Sequence, residues 1–202
     1  MRALSELLTL LKLNLLTILC SLPLITAGAA YTSMHYCIMK MMDGEDAHIV
    51  STYWKEFKAN LKSVTPAWLV MALFGGFLAF DAKVFTAQNN GAMRPLLIVV
   101  YLAAILWFAL FQWLFPLAAR FANSTAAKFK NAALMAVGSL PRTAVMMVFS
   151  AVIPFILLNS MRLLPLAFVF GLSLPAYLCA IFYYPVIKKQ IKNITGETDE
   201  EE

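Results

Sequence analysis

The sequence predicts an all-α, polytopic transmembrane helix bundle, and three observations carry that prediction. Of its 202 residues, 61% are hydrophobic and only 13% are charged, against about 25% charged in soluble domains. The apolar residues gather into stretches that match the roughly 20 residues a helix needs to span a bilayer. The 16 Lys and Arg residues lie mostly between those stretches, where they read as orientation signals and contacts to anionic lipid. That placement outweighs the formal charge of +5 and decides against nucleic acid as a partner. Membrane lipids are the expected one.

The first stretch organises the rest. Leu4, Leu7, Leu8 and Leu11 share a face at helical spacing and lead into a run from Asn14 to Met39 without Asp, Glu, Lys or Arg. A first span is expected over about 13–38, broken at Pro23, whose missing donor and ring should end or kink the helix around Leu22. In lipid a break is tolerated only where protein or a water-lined cavity covers the freed carbonyls. The segment should therefore face protein, and a re-entrant hairpin stands beside a full crossing as its alternative form. Gly28, inside the small-residue run Thr26–Ala30, invites close packing. The apolar character continues past the point where a cleavable signal peptide would stop.

Asp43-Gly44 marks the first turn. Beyond it Val50, Tyr53, Trp54, Phe57, Leu61 and Val64 recur at spacings of three and four, opposite Lys55, Lys58 and Lys62. Such a helix lies in the headgroup plane or packs on its own bundle. Pro66 suits the first turn of a second span, about 65–86, which carries Gly75-Gly76. A polar turn at Gln88–Gly91 and Pro95 open the third, about 95–119, with Trp107, Gln112, Trp113 and Pro116. Pro116 should bend it just before it stops at Arg120. A second basic connector, with Lys128, Lys130 and Asn131, leads to Pro141 and a fourth span, about 140–158. A fifth, about 163–186, completes a single domain over 1–192, followed by an acidic flexible tail at 193–202. The Lys and Arg count puts the connectors 38–65 and 119–142 and the C-terminus in the cytoplasm. Five crossings would then place the N-terminus outside, whereas a re-entrant first segment would place it inside.

Little in the chain points to chemistry. Cys20, Cys37 and Cys179 lie in apolar stretches without a CxxC or a Cys/His pattern. His35 and His48 have no carboxylate partners at metal-ligand spacing, and His35 reads as a packing histidine. Nucleophile and phosphate-loop motifs are absent. No catalytic residue, metal or cofactor is expected. Ionisable side chains at mid-membrane mark ion pathways, and no span carries one clearly at its centre. Asn14 and Gln112 are the notable amides, read as interhelical hydrogen-bond glue or as the lining of a small polar cavity.

Several stretches taken together resemble one family. They are Leu22-Pro23-Leu24-Ile25-Thr26-Ala27-Gly28, Phe57 with Asn60, Phe115-Pro116-Leu117-Ala118-Ala119-Arg120-Phe121, and Lys130-Asn131-Ala132. From about Leu7 to Lys189 the chain resembles the YesL family of bacterial membrane proteins, long classed as a domain of unknown function. Asn14, Pro23, Gly28, Asn60, Pro116, Arg120 and Asn131 match its pattern. The resemblance implies an accessory role in sugar uptake or its regulation, because such proteins occur mainly in Firmicutes, often encoded beside carbohydrate ABC-transporter components. No catalytic residues come with it.

The expectation is therefore a non-enzymatic membrane protein that docks a partner, such as carbohydrate ABC-transporter subunits. Docking would use the connectors around Trp54 and Lys130 or a small-residue helix face. A small-solute facilitator, working alone or as a homo-oligomer, is the alternative. It would need a polar path past Asn14 or Gln112 and tryptophans such as Trp107 and Trp113 free to stack on a sugar.

Overall fold

The computed structural model describes residues 2–45, 48–87 and 94–195, and every regular element in them is helical. Helix α1 (Arg2–Ser21) stops two residues before Pro23, where the sequence expected the break. Pro23 is extended (φ −75°, ψ 109°), and one 3₁₀ turn, Leu24–Thr26, leads into α2 (Ala27–Met42). The Thr26 hydroxyl lies 2.7 Å from the Cys20 carbonyl and 2.8 Å from that of Pro23, so a side chain serves acceptors that the break leaves over. Both arms reach past the expected bounds of 13 and 38, and they pack side by side. Thr17 and Ser21 line the same cavity as Tyr31 and Ala27. The pairs Thr17–Tyr31 and Ser21–Ala27 are each centred on Leu24, so the arms run antiparallel as a hairpin. The turn itself does not face protein as expected: Leu22, Leu24 and Ile25 are exposed, and the Thr26 hydroxyl rather than a neighbouring helix covers the Cys20 and Pro23 carbonyls.

Helix α3 (Ile49–Ala87) is 39 residues long, about 58 Å at 1.5 Å per residue. That is roughly twice the hydrocarbon thickness of a bilayer. It corrects one expectation: Pro66 does not open a span but sits inside a continuous helix that joins the first connector to the second span. It also decides between the two readings of that connector. Tyr53, Asn60 and Val64 are buried, the Tyr53 hydroxyl donates to the Ala30 carbonyl, and Lys55, Lys58 and Lys62 face outward. Around Tyr53 and Val64 the apolar face is packed on the bundle itself, while Val50 and Trp54 of the same face stay exposed.

Helix α4 (Arg94–Arg120) runs through Pro116 without a break in its helical assignment. After it comes α5 (Thr125–Gly138), capped by Ser124, whose hydroxyl accepts from the Ala127 N–H. The N-cap oxygen takes up one of the donors a helix start leaves unpaired. Helix α6 (Leu140–Asn159) has Pro141 in its first turn, as expected. The fifth span is two helices, α7 (Leu164–Phe170) and α8 (Ser173–Thr195), bent by 51° at Gly171-Leu172. Because α8 reaches Thr195, the expected tail begins later than 193, and its acidic residues lie outside the described ones.

Helices α1, α3, α4 and α6 are each long and apolar enough to cross a membrane, and α7 with α8 passes as a bent pair. The core gathers around α2, where Met34, Ile38, Tyr53, Trp113, Phe115, Tyr183 and Ile187 are fully buried. Away from it Leu73, Phe77, Phe80, Ile98, Leu106 and Phe155 are each more than half exposed. In water so many exposed large apolar side chains would drive association. Facing lipid tails, it costs nothing.

Candidate functional site

The bend between α7 and α8 leaves backbone groups that in hydrocarbon must find partners inside the protein. Asn14 supplies them from α1. Its Nδ2 donates to the Phe168 carbonyl at 2.6 Å, and its Oδ1 accepts from the N–H groups of Leu172 (2.8 Å) and Ser173 (3.0 Å). An amide can donate and accept at once, so one fully buried side chain stands in for the interrupted helical ladder. Asn14 is thus bonded on both its amide atoms.

Beside this clamp lies a cavity of about 340 Å³. Tyr31, Trp68, Phe108 and Phe111 give it aromatic walls, and Thr17, Ser21 and Ser150 give it hydroxyls. Gln112 stands behind the wall: the Ser150 hydroxyl donates to its Oε1 at 3.2 Å and lies equally close to Cys179 Sγ. Neither Trp107 nor Trp113 lines this cavity. The Trp107 indole donates to the Met71 carbonyl at 2.9 Å with its ring against Gly75, and Trp113 donates to Thr143 Oγ1 at 2.8 Å. Gly28 lies against the first carbons of the Trp68 side chain. His35 is buried and shares a 2.8 Å hydrogen bond with the Tyr183 hydroxyl. That is the packing role the sequence indicated.

A second constellation closes the basic end. Asp43, expected only to mark a turn, accepts from the Tyr184 hydroxyl and pairs with Arg120 (3.4 Å) and Lys188 (3.5 Å). Arg120 also lies 5.3 Å from the centre of the Tyr36 ring, a cation–π distance. One carboxylate thereby ties the C-terminal ends of α2 and α4 to the middle of α8. Asp43→Asn keeps the size but removes the charge, and is expected to destabilise the fold by about 1–2 kcal/mol, as losing charge-assisted bonds does. Thermal unfolding in detergent measures this, and an unchanged midpoint would show that the three helices are held by packing alone.

Lys128 is the other surprise. Read from sequence as a free cation of a connector, it is buried and donates its ammonium to the Ser63 carbonyl, one residue past the carbonyl that Pro66 deprives of a partner. Burial pushes its ammonium below the usual lysine range. Asn131 lines a cavity of about 470 Å³ at this end, together with Phe121, Asn123, Met135 and Gln190. Trp54 stays partly exposed, edge-on to Phe57 at 5.7 Å, and Asn60 is buried within 3.5 Å of the Ser63 hydroxyl.

The residues singled out from sequence therefore fall into separate places. Asn14 and Gln112 flank the aromatic cavity, and Pro23 and Gly28 shape the hairpin beside it. Pro116 is core, Arg120 belongs to the Asp43 seam, and Asn131 to the second cavity. Among the described residues no group of His, Cys, Asp and Glu is arranged to hold a metal ion.

Residues 10–82, covering most of α1, all of α2 and α3 as far as Ala82, match the model of a family described as a protein of unknown function, DUF624. Over that stretch the chain is similar to this family. The match takes in the hairpin, Asn14 and Asp43, and leaves out Arg120 and Lys188, which complete the seam. No curated protein and no solved structure matches the chain.

Proposed function

We propose that the protein is a non-enzymatic accessory component of the bacterial cytoplasmic membrane, acting by association with a larger membrane assembly. The supporting observation is the use made of its interior amides and indoles. Asn14 is committed to the α7–α8 bend, Trp107 and Trp113 are committed to Met71 and Thr143, and Gln112 accepts from Ser150 through Oε1, with Nε2 alone unpaired. A conduit for a sugar needs these groups free along a path. Here they fasten helices together.

The YesL resemblance gives this reading its direction, since the residues 10–82 matched by the DUF624 family contain its Leu-Pro-Leu-Ile-Thr-Ala-Gly stretch. On that basis the partner is a carbohydrate ABC-transporter subunit. Purification in a gentle detergent from the native membrane, with mass spectrometry of what co-elutes, tests it. Transporter subunits at a fixed stoichiometry support the reading. The protein alone, or a homo-oligomer alone, counts against it, and sugar flux in liposomes would then make the facilitator the better reading.

The orientation belongs to the same proposal. With the connectors cytoplasmic by the positive-inside rule, the antiparallel arms bring the start of α1 to the Asp43 end, so the N-terminus is cytoplasmic too. This favours the re-entrant form of the first segment over the five-crossing count. Cysteines at Leu4 and Lys130, both exposed, should react with a membrane-impermeant maleimide only from the cytoplasmic face. Lys128, the natural choice from sequence, is too buried to serve. Asn90, outside the described residues, should react only from the other face. Leu4 and Lys130 reacting from opposite faces would overturn the hairpin topology.

A further inference from the structure

We propose that the aromatic cavity beside the hairpin turn is a binding site for a neutral amphiphile drawn from the bilayer: a hydrocarbon chain carrying an uncharged oxygen function such as a hydroxyl or an ester. The cavity is about 340 Å³, at the lower end of the range for small-ligand sites. Its walls fit a chain: Trp68, Phe108, Phe111, Pro154, Leu172 and Pro175 offer apolar surface, and Tyr31 brings the sole titratable side chain, a phenol. A sugar or an ion would lose its hydration there without recovering it.

The approach is from lipid. Leu172 is itself on the rim and 37% exposed, and the chain neighbours of two other lining residues, Leu22 next to Ser21 and Phe155 next to Pro154, are 72% and 67% exposed. Lining and rim are apolar side chains and hydroxyls, with no charge for a headgroup to pair with.

The oxygen function is suited to the Ser150 hydroxyl of the wall, and a second observation bears on it. Among the described residues only three buried side-chain polar atoms lack a hydrogen-bond partner: Gln112 Nε2, Ser173 Oγ and Arg120 Nε. Two of the three belong to residues that do not line the cavity themselves but follow ones that do. Gln112 is bonded to Ser150 of its wall and follows Phe111, and Ser173 follows Leu172. Both residues are more than nine-tenths buried, and a buried polar group without a partner calls for an explanation. The Gln112–Ser150 pair can also adapt. Turning the amide over lets Nε2 donate to Ser150 Oγ, which frees the serine hydroxyl to donate to a ligand oxygen, because the two amide orientations exchange donor and acceptor. A pure alkane would offer the freed Ser150 hydroxyl no oxygen to donate to.

The test reconstitutes the full chain in phosphatidylcholine vesicles with a diazirine-bearing monoacylglycerol, and maps the photo-adducts by mass spectrometry. Labelling is expected on the segments carrying Trp68, Phe108 and Pro154, saturable and competed by unlabelled monoacylglycerol. Ala27→Phe and Ser150→Leu fill the cavity from opposite walls, and each should weaken the apparent affinity about tenfold or more. Ser150→Ala keeps the space, and should weaken monoacylglycerol while leaving a diazirine-bearing alkane unchanged. A circular-dichroism melt identifies any variant that fails to fold, and the remaining ones decide. Saturable labelling by diazirine-bearing phosphatidylcholine at the same segments supports the site and names bulk lipid as the source. Labelling that spreads evenly over lipid-facing Phe77, Leu102 and Phe155, resists competition or survives the filled cavity overturns it.

Discussion

Asn14→Ala is expected to be the most damaging polar substitution in this protein, costing about 3 kcal/mol. The side chain satisfies three backbone groups at the α7–α8 bend, and each buried group left unpaired costs about 1–3 kcal/mol. Interhelical hydrogen bonds between side chains in membranes average only about 0.6 kcal/mol, because their partners find substitutes. Backbone groups at a fixed bend have fewer substitutes, so the larger figure should win. Asn14→Asp separates the two halves of the clamp: its carboxylate can still accept from Leu172 and Ser173 but cannot donate to Phe168 unless protonated. Steric trapping or thermal unfolding in bicelles reads the loss. An Asn14→Ala protein within about 0.5 kcal/mol of the parent, the ordinary scatter of surface substitutions, would mean that water enters the bend and that Asn14 is incidental.

That clamp also shows where a sequence stops being informative. The helix break at Pro23 could be read directly, because the clash of a proline ring with the preceding turn is a local effect. The third and fourth helices emerged within a residue or two of 95–119 and 140–158, since their apolar lengths are local as well. Asn14 was visible as an amide needing a partner, but that partner lies more than 150 residues away, and no spacing rule reaches so far. Pro66 misled because the same residue type serves at a helix start and, with its lost bond compensated, inside a membrane helix. The bend of the fifth span had a signal in Gly171 and Pro175, four residues apart, but nothing in their identity separates a bend from a straight helix. Asp43 resembled a turn residue because it is one, and its second duty as the anchor for Arg120, Lys188 and Tyr184 exists only once three distant segments meet. The aromatic cavity was illegible for the same reason: its lining comes from six helices, two of them the arms of the hairpin.

The glycines give the sharpest contrast, because neighbouring positions of one residue type should respond with opposite sign. At Gly28 an added Cβ would sit 2.3 Å from Trp68 Cβ and 2.6 Å from Cγ. These are the first atoms of that side chain, held by its own backbone, and the indole is further tied through Nε1 to the Leu24 carbonyl at 2.6 Å. No rotamer change removes the clash, so Gly28→Ala must push α2 away from α3. It is expected to cost about 3 kcal/mol, the upper part of the range for overpacking, and to loosen the hairpin turn with it. At Gly75 the Cβ would meet the far end of the Trp107 ring at 2.5 Å; that ring is anchored by its bond to Met71, so Gly75→Ala should also destabilise, though less. At Gly76 nothing lies within 4 Å. There Ala replaces the most flexible residue in a helix without a clash, and the protein should gain about 0.5–1 kcal/mol. Unfolding midpoints of the three variants in one detergent measure the order directly. Gly28→Ala tolerated as well as Gly76→Ala would show that α2 and α3 do not meet at that residue, and the hairpin docking would have to be redrawn.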